Sequence, residues 1–257
     1  FHKESSFELQ TVFYITLSMF FARSFAMGAN RYLDRQFDFE NLRTRSRMIP
    51  SGLLPEKDSL FITGMMGILF VITAFFLNKE AGILSLPLLF ILGFYSYMKR
   101  LSVFTHFYLG MCLGFVPLAI EVALHQPISF DFILLGLGIM FWVGGFDILY
   151  SMQDMMFDQK KRLKSIPALL GNEKSLWISI FSFALSLICF IGFGFYLRLA
   201  LFYYLGLLVI LAIFISLSLS VYRLIKKGEQ NLEAVVFSLN SWVGVVLLVF
   251  LCLDKFF

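Results

Sequence analysis

The chain has 257 residues, 59% of them hydrophobic and 15% charged, with 33 Phe and a formal net charge of +4. A mean hydropathy of +0.83 excludes a soluble globular domain, in which about a quarter of the residues would be charged. The composition is that of an all-α, polytopic membrane protein, where an ionised side chain at membrane depth is costly and marks a cavity, a partner or a path.

Apolar runs of about 17 to 25 residues are long enough to cross a bilayer as helices. In chain order they lie near Leu9 to Met27, Leu60 to Leu77, Gly82 to Tyr97, Val103 to Leu124, Phe132 to Met152, Leu176 to Leu197, Leu199 to Leu224 and Ala234 to Leu253. That predicts eight spans, the third short and the sixth and seventh joined by a tight turn at Arg198. Cys112, Cys189 and Cys252 fall in three different spans and read as small buried hydrophobes, with no disulfide or zinc site implied. His106 and His125 read as isolated, polar interfacial residues.

Basic residues collect in alternate loops. Arg31, Arg35, Arg43, Arg45, Arg47 and Lys57 lie in one, Lys99 and Arg100 in the next of the same sign, then Lys160, Lys161, Arg162, Lys164 and Lys174, then Arg223, Lys226 and Lys227. The opposite side holds Lys79, Arg198 and Lys255. This asymmetry predicts that the basic loops face the cytoplasm, in the inner membrane of a bacterial cell. Lys255 and the N-terminus would then both lie outside, and a further helix is expected to precede the first span. No cleavable signal pattern is visible in the first 30 residues, and nothing points to a nucleic-acid partner.

Two stretches about 120 residues apart carry one pattern of oxygen-bearing side chains. The first is Asn30, Asp34 and Asp38 in ANRYLDRQFDFEN, the second Asp147, Tyr150, Asp154 and Asp158 in FDILYSMQDMMFD. Residues at i, i+4 and i+8 drift by only about 40° per step on a helix of 3.6 residues per turn, so each set lies along one face. Oxygen-only stripes suit a hard cation such as Mg²⁺, held by a few carboxylates and by the phosphates of a substrate. The loops that follow, NLRTRSRMIP at Asn41 to Pro50 and QKKRLKSIP at Gln159 to Pro167, would bring cations to the same mouth. Arg offers phosphate a bidentate fork and Lys a point charge. A diphosphate is the ligand these features imply, although each basic residue taken singly also serves insertion topology.

With Tyr95-x-x-x-Lys99-Arg100 and Lys164-Ser165, these motifs resemble the two aspartate-rich signatures of the UbiA superfamily of intramembrane prenyltransferases. The resemblance runs over nearly the whole chain, residues 1–257, as one domain with two similar halves, about 1–125 and 126–257. It implies a helix bundle around a central cavity, nine helices in the family against eight here. It further implies two Mg²⁺ ions held by Asp34, Asp38, Asp154 and Asp158 and bridged by a prenyl diphosphate. Asn30 is then a neutral ligand or a diphosphate donor, and Arg43, Arg47, Lys99, Arg100 and Lys164 are contacts to diphosphate or acceptor.

The implied reaction is transfer of a polyprenyl group from polyprenyl diphosphate to a ring carbon of a hydroxylated aromatic acid. The metal and the arginines stabilise charge on the departing diphosphate. The allylic cation that results needs π faces, for which Tyr95, Tyr97, Phe146 and Tyr150 are candidates. Asp147 could hold the acceptor or orient Tyr150. Arg23 could bind the acceptor carboxylate or reach to the interface by snorkelling. The stretch FDILYSMQDMMFDQKKRLKSIPALLG is similar to the branch that prenylates 4-hydroxybenzoate in ubiquinone synthesis, with a hydroxynaphthoate of a menaquinone route as the alternative. The glycines in GMCLGF and GLGIMFWVGG would let helices approach closely or open a groove to lipid. A cation-coupled transporter is the rival of another class, but its acids would be expected near mid-span rather than at helix ends.

Overall fold

The computed structural model describes residues 9–228 and 232–256, and every regular element among them is helical. In chain order these are α1 (Leu9–Leu33), α2 (Arg35–Glu40), α3 (Glu56–Leu77), α4 (Lys79–Leu101), α5 (Thr105–Ala123) and α6 (Phe130–Ser151). A 3₁₀ turn (Met152–Asp154) leads into α7 (Met155–Lys160), followed by α8 (Ile166–Tyr196), α9 (Leu201–Lys227) and α10 (Glu233–Phe256). Among the described residues eight stretches are long and apolar enough to cross a membrane, matching the eight expected runs. Phe61, Phe76, Phe90, Trp177, Phe181 and Ile188 are each more than half exposed, an apolar exterior suited to lipid rather than water. The chain is a multi-pass membrane protein.

The third span is longer than its apolar run because its ends are polar. Asn78 Oδ1 accepts from the Ala81 N–H at 2.7 Å, so the helix starts before Gly82, and Lys99 and Arg100 lie in its last turn. Likewise α8 begins ten residues before the apolar run at Leu176. Ser165 is its N-cap and accepts from the Ala168 N–H, and Pro167 follows in the first turn, where its missing N–H costs nothing. The same helix breaks at Gly171 (φ 79°, ψ 170°), a conformation only glycine adopts without strain. The expected turn at Arg198 is present, with φ 55° at that residue and the Leu199 N–H donating to Gly194 O at 2.9 Å.

The helices cluster into two compact units, one comprising residues up to Tyr97 with Ala119–Ile128, the other Met98–Leu118 with the residues from Ser129 onward. In the first, α1 packs along α3, where the Ser18 hydroxyl donates to Thr73 Oγ1 at 2.9 Å. Asn78 Nδ2 donates to Val122 O and Ala123 O and so fixes the end of α5. In the second, Ile148, Leu149, Phe183, Phe190, Tyr203 and Ile210 form part of a continuous core. Ser179 donates to Gly145 O and Ser186 to Gly138 O, each at 2.8 Å. Lipid tails are as apolar as Leu, so close packing and such bonds, worth roughly 0.6 kcal/mol each, select this arrangement.

Two expected small-residue stretches prove to be packing contacts. A Cβ on Gly110 would collide with the Met140 carbonyl and one on Gly114 with the Gly136 carbonyl, bringing α5 against the backbone of α6. The obstacle is main chain, which cannot rotate away. Gly110→Val should therefore lower stability in detergent by at least 1–3 kcal/mol, the cost of overpacking. Gly64→Ala in α3, where an added methyl meets nothing within 4 Å, should be neutral or slightly stabilising. Reversible unfolding of both variants in mixed micelles checks the pair.

Candidate active site

The first acid motif sits where α1 stops. Asp34 takes φ −93°, ψ 2° and separates α1 from the six residues of α2. The i to i−4 bonds survive the break, since the Asp34 N–H donates to Asn30 O at 3.0 Å and the Asp38 N–H to Asp34 O at 2.8 Å. The three side chains thus keep helical spacing on a chain that bends at the middle acid. Asn30 Nδ2 donates to Asp34 Oδ2 at 2.9 Å and to Ser96 Oγ at 3.1 Å, joining the motif to α4 beside Tyr95.

Asp38, at the fourth position of α2, is buried. One nitrogen of Arg47 reaches both of its oxygens, at 2.6 and 2.8 Å. The loop is shaped to allow this: Asn41 Oδ1 accepts from the Arg43 N–H, an Asx turn, and the buried Thr44 hydroxyl donates to Asp38 O. Arg47 also lines a half-open cavity of about 430 Å³ with Ser24, Gly28, Arg31, Ser59 and Thr63. Arg43 is half-buried and Arg23 is exposed on α1.

The second motif repeats the local geometry of the first. Asp154 takes φ −95°, ψ 1°, and again six residues of helix follow, α7, with Asp158 at the fourth position. Asp154 and Asp158 are both buried, Asp158 to 2% exposure. Its Oδ2 has no hydrogen-bond donor, and the Lys99 ammonium stands 3.9 Å away. Lys164 does not reach the acid: its N–H donates to Lys99 O at 2.6 Å and its ammonium to Leu101 O at 3.0 Å. Arg100 is half-buried in the last turn of α4.

Asp147 lies a turn before the end of α6, and its Oδ2 is 2.7 Å from His106 Nδ1. His106 is fully buried, which corrects the expectation of an isolated interfacial histidine. Forty-one residues separate the partners, so no local spacing announces them. Tyr150 stacks with Phe146 at 6.3 Å between ring centroids. Phe237 of α10 meets both edge-on, at 5.6 and 5.1 Å. Ser96, His106 and Phe237 are the polar and aromatic contributors that the motifs did not single out.

A hard cation fits the donors present. The ligand atoms offered are carboxylate and amide oxygens, and Asp158 Oδ2 is a buried carboxylate oxygen lacking a donor, a state relieved by a bound cation. Among the described residues no three His, Cys, Asp or Glu side chains form a closed cage. Mg²⁺ held by one or two carboxylates and completed by phosphate and water needs none.

A model of the UbiA prenyltransferase family matches residues 1–251. The 4-hydroxybenzoate octaprenyltransferase of Aromatoleum aromaticum is 27% identical over 250 residues, which cover 96% of this chain and 82% of that protein. Its counterpart in Tolumonas auensis is 30% identical over 189 residues, 73% of this chain and 65% of that protein, so the match spans just under two thirds of that relative. Among solved structures, the apo UbiA homolog from Aeropyrum pernix K1 superposes with a TM-score of 0.85 at 25% identity, covering 97% of this chain and 91% of the other. A UbiA homolog from Archaeoglobus fulgidus bound to GPP and Mg²⁺ shares the fold with a TM-score of 0.62 at 19% identity, over 93% and 88% of the two chains.

Arg47→Ala should leave Asp38 buried without its partner and cost about 2–3 kcal/mol. Adding Asp38→Asn, which removes the charge, should recover more than half of that loss. Chemical denaturation of the two single variants and the double variant measures the coupling.

Proposed function

The chain belongs to the UbiA prenyltransferase family and is a prenyltransferase, and we propose that it moves a polyprenyl group from polyprenyl diphosphate to a ring carbon of 4-hydroxybenzoate. The observation that carries this reading is the doubled acid motif, in which Asp34 and Asp154 share one backbone conformation and each introduces a short helix that buries a second aspartate. The names of the relatives support the acceptor, and ubiquinone formation is the corresponding context. The distribution of basic residues supports a bacterial cell membrane with the acid motifs on the cytoplasmic side. We read residues 1–257 as one domain of two similar halves.

Asp34, Asp38, Asp154 and Asp158 are the residues that would hold Mg²⁺, two ions in our reading, together with the diphosphate. When bound, Mg²⁺ supplies charge neutralisation to the departing diphosphate. Asn30, locked between Asp34 and Ser96, presents its amide at the same acid. Arg43, Arg47, Lys99, Arg100 and Lys164 add positive charge for the diphosphate or the acceptor, and Arg47 would exchange part of its bond to Asp38 for phosphate. Breaking the allylic C–O bond leaves an electron-poor carbon, for which Tyr150, Phe146 and Phe237 offer π faces; Tyr95 lies beside Ser96. Attack by the phenol ring carbon and loss of the ring proton restore aromaticity. Asp147 stands next to Phe146 in sequence, and Arg23 is the candidate for the acceptor carboxylate.

Asp158→Asn should lower product formation by at least about 10²-fold, the scale of losing one charge-stabilising group, with helical content unchanged. Chelation of divalent ions should abolish turnover of the unmodified chain, and added Mg²⁺ should restore it. Mass spectrometry of products from membranes given polyprenyl diphosphate with 4-hydroxybenzoate and a hydroxynaphthoate reads the outcome. A naphthoate product alone would move the acceptor, and ion transport without pyrophosphate release would end the enzyme reading.

Arg23→Ala should raise the acceptor KM about tenfold, equivalent to ~1.4 kcal/mol, and leave the polyprenyl diphosphate KM in place. Steady-state kinetics with each substrate varied separately decides this, since an arginine that only snorkels would change neither constant.

A further inference from the structure

The start of α8 bears Lys164 and Ser165 of the motif, and its backbone donors can be followed one by one. The first N–H groups of a helix have no partner within it. Lys164, just before the helix, donates to Lys99 O. Ala168 donates to Ser165 Oγ at 3.3 Å, Pro167 has no N–H, and Leu169 makes the first intrahelical bond, to Ser165 O. The Ile166 N–H reaches the Nε2 of His106, at 3.3 Å.

That contact assigns the tautomer of the ring. With an N–H pointing at Nε2, that nitrogen is the bare acceptor, so the proton sits on Nδ1 and is donated to Asp147 Oδ2 at 2.7 Å. The carboxylate behind the ring makes Nε2 a better acceptor, as it does for histidines that bind metals. It also relays negative charge toward the positive end of α8. The imidazole is fully buried between these partners, so it can touch neither substrate nor solvent. The turn it holds is also tied to the second acid motif: the Leu163 N–H donates to Asp158 O at 2.8 Å, and the Ser165 side chain interacts with the Asp158 carboxylate.

We propose that His106, backed by Asp147, is a positioning residue for prenyl transfer, holding the Lys164–Ser165–Ile166 turn so that Lys164 and the Asp158 carboxylate stay in register. This rests on the proposed transfer reaction for its consequence in turnover, but not for its structural content.

The test compares His106→Phe, which keeps a planar ring and removes both hydrogen bonds, with His106→Gln, whose side-chain carbonyl can still accept from Ile166. Hydrogen exchange followed by mass spectrometry reads peptides across residues 163–169 in the full chain, without substrate. His106→Phe should speed exchange there about tenfold, the loss of roughly one hydrogen bond, with α5 and α6 unchanged, and His106→Gln should restore much of the protection. In turnover, His106→Phe should raise the polyprenyl diphosphate KM about tenfold and leave the acceptor KM unaltered, with partial rescue by Gln. Unchanged exchange across 163–169, exchange raised equally through α5, α6 and α8, or equal losses for both substrates would each overturn the proposal. An unmodified chain that transfers no prenyl group would sink the function reading while leaving the exchange result standing.

Discussion

A carboxylate withdrawn from water in an apolar helical protein must find a cation, a donor or a proton, and this requirement organises the chain around its two acid motifs. The cost of an uncompensated buried charge is several kcal/mol, comparable to a sizeable share of a domain's net stability. Compensation takes a different form at Asp38, Asp147 and Asp34. Asp38 has the Arg47 guanidinium on both oxygens, Asp147 has the His106 N–H, and Asp34 has the Asn30 amide. Asp158 is less fully satisfied than these three, with Lys99 at 3.9 Å and one oxygen lacking a donor. The loops, the end of α4 and the first turn of α8 have the courses they do because they carry these partners.

The two motifs solve the same local problem in one way. A straight helix would carry Asn30, Asp34 and Asp38 as a stripe down a single axis. The bend at Asp34, matched within a few degrees by the bend at Asp154, ends the long helix and starts a short one while retaining the i+4 spacing. Each break sets a short helix with one buried aspartate apart from the span before it. The partners differ: the first motif draws its cation from the loop that follows it, the second from α4. The backbone device is repeated while the side chains serving it are not.

Much of this was legible in the sequence, and the unreadable parts have identifiable causes. Hydropathy found the spans because lipid imposes a length and a composition, and it misplaced the starts of α4 and α8 where capping by Asn78 and Ser165 extends a helix through polar residues. Spacing found the acids because i+4 contacts are local. It missed the bends because the Asp38 N–H still reaches Asp34 O, so periodicity is the same with or without the break, and neither Gly nor Pro marks the place. His106 was misread because its partners, Asp147 and Ile166, lie 41 and 60 residues away. Phe237 escaped notice for a similar reason, being one aromatic among many until α10 sets it against Tyr150.

The placement of the acids also separates the catalytic reading from a transport path. A coupled transporter concentrates its ionisable residues near the middle of broken spans. Here Asp34 directly follows α1, and Asp154 and Asp158 follow α6, while the buried Glu121 and Asp131 lie within a turn of the end of α5 and the start of α6. Asp147 is the deepest of these in its helix, and it is bonded to a neutral histidine rather than aligned with other acids. The interiors of α8 and α9 hold serine, tyrosine and apolar side chains from Leu176 to Leu219 with a single arginine, at the turn between them. No ladder of charge runs along these helices to pass an ion from one end to the other. Acids gathered at or near helix ends, with apolar spans behind them, suit a reaction on a charged head group whose hydrocarbon tail lies among the spans.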